Sequence, residues 1–338
     1  MDDITAFIRR LPKAELHLHL EGTITPSTLV ELSARHDAKP LTLAAAEAIY
    51  QFTDFTGFIE AFKAVTRQLT HPEDYELAAW RMMQRLAEQG VVHAEVYISV
   101  GVIYMWRNHD PLCFEPIFLG LERARERAQR ELGLSLYWIF DAVRHFTVEE
   151  AGVVFRKAAE MRPQYPAIIG IGLGGDERQC GSEPFRSFYA EARRAGLRLT
   201  NHAGETTGPA AIREALSIGS ERIGHALSAI QDAALMEELK TRNIPLELNP
   251  TSNVRTGVCP SFAEHPLRLY FDAGLLVTLN SDDPAFFGSD VANEYLLAHT
   301  EQGFTREELQ SLAANSIRAS FLPGIEKAML LSRNDKPR

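Results

Sequence analysis

Cysteine is scarce in this chain: Cys113, Cys180 and Cys259 are the only three, far apart, with no CxxC pair among them. That excludes a disulfide framework and a thiolate zinc knuckle, and leaves isolated thiols of core or surface. Blocks of Lys or Arg are also missing, and 35 basic residues against 45 acidic ones give a formal net charge of −10. Nucleic acid and anionic membrane surfaces are therefore poor partners, and a small molecule is the expected one. No apolar run approaches the roughly 18 residues needed to cross a bilayer. The opening "MDDITAFIRRLPK" begins acidic and has too short an apolar stretch for a secretory signal, so a cytoplasmic chain is expected. Internal repeats, low-complexity tracts and Pro/Ser-rich linkers are lacking, which favours one domain spanning residues 1–338. A GxGxxG after the first apolar run is absent too, which argues against a dinucleotide fold.

Apolar residues make up 45% of the chain and charged ones 24%, the balance of an ordinary soluble protein. Short apolar runs ending in polar or Gly/Pro residues recur between helical patterns: "ELHLHLEG", "VVHAEVYISV", "LSLYWIFDAVRH", "IIGIGLGGDE", "LRLTNHAGE", "RIGHAL", "IPLELNPTSN" and "LLVTLNSDDP". Strands alternating with amphipathic helices imply right-handed βαβ units, and this number of them favours closure into a (β/α)8 TIM barrel. Helix ends are readable where Thr25 precedes Pro26, where Pro209 opens "PAAIREAL", and where Thr305 and Glu308 form a capping box. Between the first two strands, residues 40–78 read as a helical insertion carrying Tyr50, Phe52, Phe55, Phe58 and Phe62. Its aromatics serve either as an apolar lid on the catalytic face or as packing for its own helices.

The stretch "AELHLHLEGT" sets ionisable residues inside a strand. Alternation places Glu15, His17, His19 and Glu21 on one face and Leu16, Leu18 and Leu20 on the other. Burying such a face is costly unless something pairs with it, and a metal ion is the simplest partner. His202 and Glu205 end the fifth strand, His225 the sixth, and Asp282 and Asp283 the eighth. In a barrel these ends share one mouth, where active sites of this fold lie. Three imidazoles and a carboxylate, His17, His19, His202 and Asp282, suit zinc, which activates a water near neutral pH. His225 is then placed to take or orient that water's proton, Glu205 to deliver a proton to substrate, and Asp283 to hydrogen-bond it.

"PKAELHLHLEGT", "HAGE", "RIGHA", "NPTSNV" and "NSDDPAFFG", in this order, resemble the adenosine deaminase family of metal-dependent amidohydrolases, from Leu11 to about Phe321. The resemblance implies one zinc on His17, His19, His202 and Asp282, with Glu205 as proton donor to purine N1 and His225 as the base orienting water. It also implies Asp283 as the carboxyl that bonds purine N7, and Gly175 of "GLGGDE" offering its amide to purine N3. The product would be the 6-oxopurine, with loss of ammonia. Adenosine deaminases typically carry Asp where this chain has Glu21, Asp where it has Gly172, and Gly where it has Ala226. Glu21 is expected to face ribose, so the sugar end is where this chain departs. The expected substrate is adenosine or a 5′-modified adenosine. The alternatives are the deamination of 6-amino-6-deoxyfutalosine in menaquinone synthesis, which acts on a 5′-extended adenosine, and that of adenine. A two-metal amidohydrolase would want a carboxylated Lys on a middle strand, and none ends "YWIFDAVRH" or "IIGIGLGGDE".

Overall fold

The computed structural model describes residues 3–52, 55–106, 110 and 114–334; Cys113 and the side chain of Phe55 lie outside the described residues. The eight apolar runs form eight parallel strands: β1 (Lys13–His19), β2 (Val91–Ile98), β3 (Ser135–Val143), β4 (Ile168–Gly174), β5 (Arg198–Ala203), β6 (Arg222–His225), β7 (Leu246–Leu248) and β8 (Val277–Leu279). Each pairs with its successor in chain order. The circle is completed just past β8, where Leu18 bridges Asp282, the Asp282 amide donates to the His17 carbonyl at 3.1 Å, and the His19 amide donates to the Asp282 carbonyl at 2.9 Å. This is the (β/α)8 barrel expected from the pattern.

Alternation along β1 divides two environments. Leu18 and Leu20 are fully buried in the apolar layer between strands and helices, and Leu16 packs with Ala14, Ile317 and Ala319. The inward face is polar, so the barrel axis is held by charge. Arg222 on β6 donates to Glu95 on β2 and to Glu247 on β7, with the Phe321 ring 3.8 Å from its guanidinium. Burying these charges is tolerable only because each is paired. Strand β1 stops at His19, and Glu21 begins a 3₁₀ turn, Glu21–Thr23, rather than continuing the strand face.

The helix ends follow the sequence signals. Thr25 caps Pro26–His36 by accepting from the Thr28 amide, Gly208 precedes Pro209–Ser217, and Thr305 with Glu308 forms the capping box of Arg306–Ala319. The insertion is shorter than residues 40–78, because Pro72 already starts the helix Pro72–Glu88, which buries Met82 and Met83 against the barrel. Its aromatics meet the barrel's own: Tyr50 lies 4.9 Å, Phe62 5.8 Å and Phe52 6.4 Å from Phe286, and Phe58 lies 5.5 Å from Phe287. Packing of the insertion and placement at the mouth are thus the same contact, since Phe286 and Phe287 lie three and four residues after Asp283. Among the described residues, no helix is long and apolar enough to cross a membrane.

Replacing Arg222 by Leu strands two buried carboxylates, and breaking a buried ion pair of this kind costs about 3–5 kcal/mol. Urea unfolding of Arg222→Leu is expected to show a loss of that order; a loss under about 1 kcal/mol, the worth of an exposed pair, would mean that the axis does not depend on this charge.

Candidate active site

Strand ends bring four ligand atoms of His17, His19, His202 and Asp282 to within 4.8 Å of one another. His19 Nε2 and His202 Nε2 are 3.2 Å apart, and Asp282 Oδ1 is 3.4 Å from both His17 Nε2 and His19 Nε2. Ligands about 2.0–2.1 Å from a shared ion lie roughly 2.9–3.6 Å apart, so the donor set fits a divalent ion. His17 Nε2 is buried without a hydrogen-bond partner, as expected of a nitrogen reserved for a cation. Backbone geometry here is unusual: His225, Ala226 and Asp282 have φ of 64°, 51° and 63°. Such non-glycine conformations cost of order 1–3 kcal/mol each and gather where function fixes a side chain. Gly224 gives the His17 ring its room, since a Cβ there would lie 2.6 Å from His17 Cε1.

Several residues that the sequence left unassigned orient this cluster. Glu247 accepts from His17 Nδ1 at 2.8 Å, which turns Nε2 toward the mouth. The Tyr97 ring stacks on His19 at 5.0 Å, and its hydroxyl lies 2.9 Å from Thr200 Oγ1 and 3.2 Å from Glu247. Ser252 donates to Asp282 Oδ2 at 2.6 Å, and the buried Arg144 donates to the backbone carbonyl of His202 and to Asn201.

His225 lies across from the cluster, its Nε2 3.9 Å from Asp282 and its Nδ1 3.7 Å from Glu205. A relay of bonds fixes its tautomer. The Leu267 amide donates to His265 Nδ1, His265 Nε2 then donates to Asn253 Oδ1 at 3.2 Å, and the Asn253 amide donates to His225 Nδ1 at 2.9 Å. A neutral His225 therefore carries its proton on Nε2. Glu205 is not a helix cap, since that place belongs to Gly208. Its loop is held by Glu177, whose carboxylate accepts from the amides of Gly204, Glu205 and Thr206 and the hydroxyl of Thr207. Burial pushes the Glu205 carboxyl up, toward keeping its proton.

Asp283 is buried beside Asp282, and burial first, then that neighbouring charge, pushes its carboxyl well up. The 3₁₀ turn packs against it so closely that a Cβ on Gly22 would lie 2.0 Å from Asp283 Oδ1. Glu21 accepts from the Ser99 amide at 3.1 Å, and burial pushes it up to about 7. Gly175, just past β4, has a φ of +91°, which favours glycine there. The sequence treats Gly172 as a lost carboxylate, but Asp141 on β3 stands beside it, its Oδ1 2.8 Å from where a Gly172 Cβ would be. Glu21 Oε2, Asp141 Oδ1 and Asp283 Oδ1 are all buried with no hydrogen-bond partner. The mouth thus combines a metal-binding donor set, a carboxyl biased toward its protonated form, an oriented imidazole and buried carboxyl oxygens left open.

A sequence model of the adenosine deaminase family matches residues 12–337. The aminodeoxyfutalosine deaminase of Streptomyces avermitilis is 38% identical over 336 residues, covering 98% of this chain and 93% of that protein. The crystal structure of an adenine deaminase from Arthrobacter aurescens superposes with a TM-score of 0.88 at 32% identity, covering 96% of this chain and 98% of the other. An amidohydrolase from Burkholderia ambifaria with bound Zn gives 0.89 at 26% identity, covering 99% and 94%.

The purified protein is expected to retain one chelator-resistant divalent ion per chain, and Asp282→Ala and His17→Ala are each expected to lose it. Metal analysis after dialysis against a chelator checks this. Retention of the ion by both variants would remove these residues from the ligand set.

Proposed function

The chain belongs to the adenosine deaminase family of hydrolytic deaminases, and from that premise we propose that it deaminates a 6-aminopurine nucleoside, adenosine or a 5′-extended adenosine, with one zinc ion. The observation that carries the reading is the convergence of His17, His19, His202 and Asp282 opposite a half-buried Glu205 and a tautomer-fixed His225. A divalent ion held by that set supplies Lewis acidity that makes a water nucleophilic near neutral pH. Glu205 holds a proton at its carboxyl and delivers it to purine N1 as C6 is attacked. His225, with its proton on Nε2, orients the attacking water. Asp283, whose carboxyl is pushed toward its protonated form, donates a hydrogen bond to N7, and the Gly175 amide donates to N3. Water supplies the oxygen at C6; one of its hydrogens replaces the proton that Glu205 gave to N1, and the other leaves with the 6-amino group as ammonia.

Sugar recognition is assigned to Glu21, whose Oε2 is an open, buried acceptor at the turn after β1. A site built to bond a substrate hydroxyl strongly rejects analogues lacking it. The likeness to an aminodeoxyfutalosine deaminase supports tolerance of a 5′ extension.

Two outcomes are expected. Glu205→Gln keeps its metal and fold while turnover falls by about 10²-fold or more, the range of acid–base catalysis; loss of the metal instead would make Glu205 a ligand. In a side-by-side assay, kcat/KM for adenosine or a 5′-extended adenosine stands well above that for adenine. Adenine as the best substrate would overturn both the Glu21 assignment and the nucleoside reading.

A further inference from the structure

His202 is a histidine of the cluster whose second nitrogen is left unpaired in the interior. Its Nδ1 is buried and bonded to nothing, although Nε2 faces His19 Nε2 at 3.2 Å in the ligand group. A metal-ligating imidazole donates its other N–H to a carboxylate, a carbonyl or water, and that bond fixes the ring's orientation and basicity. His17 satisfies the rule through Glu247. The backbone carbonyl of His202 itself already accepts from Arg144.

An open acceptor faces it from β3. Asp141 is 4% exposed, makes no hydrogen bond through Oδ1, and stands where Gly174 leaves a gap. The point a Gly174 Cβ would occupy is 3.2 Å from Asp141 Oδ2, 3.5 Å from His202 Cε1 and 3.6 Å from His202 Nδ1. The carboxylate and the unbonded edge of the imidazole therefore flank one space, which exists because residue 174 has no side chain. Gly172 plays the same part on the other side, since a Cβ there would lie 2.8 Å from Asp141 Oδ1 and 2.6 Å from Tyr97 Cε1. Two glycines of β4 thus admit a carboxylate from β3 to the metal ligand on β5.

We propose that Asp141 is a positioning residue for the metal site, accepting the His202 Nδ1 proton across the space over Gly174, directly or through one water. It acts through His202 and touches neither metal nor substrate. The inference rests on the reading of His202 as a metal ligand, not on which purine is deaminated.

Zinc affinity, measured by competition with a chromogenic chelator in the absence of substrate, tests it. Asp141→Ala is expected to bind zinc about 10–100-fold more weakly, the usual loss when such an outer carboxylate is removed. Asp141→Asn, which keeps an acceptor oxygen, is expected to lose less. Gly174→Ala keeps the carboxylate but fills the space, and is expected to weaken zinc as well; circular dichroism of the metal-free proteins shows whether each variant is folded. In the cobalt-substituted protein the visible ligand-field spectrum is expected to change in Asp141→Ala. Zinc affinity within about threefold of the unaltered protein in a folded Asp141→Ala would overturn the proposal, and a raised KM with unchanged zinc affinity would assign Asp141 to substrate instead. A protein that binds zinc as expected yet deaminates no purine would count against the proposed function alone.

Discussion

Three imidazoles and a carboxylate gathered at one mouth call for a cation to balance them, and the structure is arranged around that constraint. His19 Nε2 and His202 Nε2 lie 3.2 Å apart, and no hydrogen bond satisfies the buried His17 Nε2. Left without an ion, these groups incur the desolvation cost of unpaired polar atoms. With one, the separations of 3.2–3.4 Å become those of a coordination shell.

The barrel serves this arrangement from its axis outward. Glu247 accepts at once from Arg222 and from His17, so the same carboxylate closes the charged core and sets the tautomer of a ligand. Arg222 in turn joins β6 to Glu95 on β2, and Tyr97, two residues further along β2, stacks on His19. Stability and site geometry are therefore coupled: a change at the axis is felt at the mouth. The left-handed backbone at His225 and Asp282 is maintained by the same surroundings, the Asn253 relay on one and the Ser252 hydroxyl on the other.

Much of this was legible in the sequence. Eight apolar runs separated by helical patterns announce the barrel, and polar residues at their ends announce the mouth, because both signals depend only on local alternation and order. The extent of the insertion and the end of β1 were less legible: Glu21 continues the period of two in "ELHLHLEG", yet the chain turns after His19 so that Gly22 can pack against Asp283. Glu247 and Asp141 carry a fainter signal. Each is a single acidic residue inside an apolar run, "IPLELNP" and "YWIFDAV", and its meaning depends on which strand lies across the barrel. Gly172 misleads for the same reason, since the carboxylate beside it comes from the neighbouring strand. Glu177 serves backbone amides of a loop that only the fold brings near it.

The central claim is hydrolytic exchange of the 6-amino group of a purine nucleoside for oxygen. Turnover of adenosine in water enriched in oxygen-18, followed by mass spectrometry of the purine product and by ammonia release, tests it most directly. The expected product is a 6-oxopurine nucleoside with one labelled oxygen at C6 and its sugar still attached, formed with one ammonia per product. Release of free adenine, or conversion without ammonia and without label at C6, would contradict it.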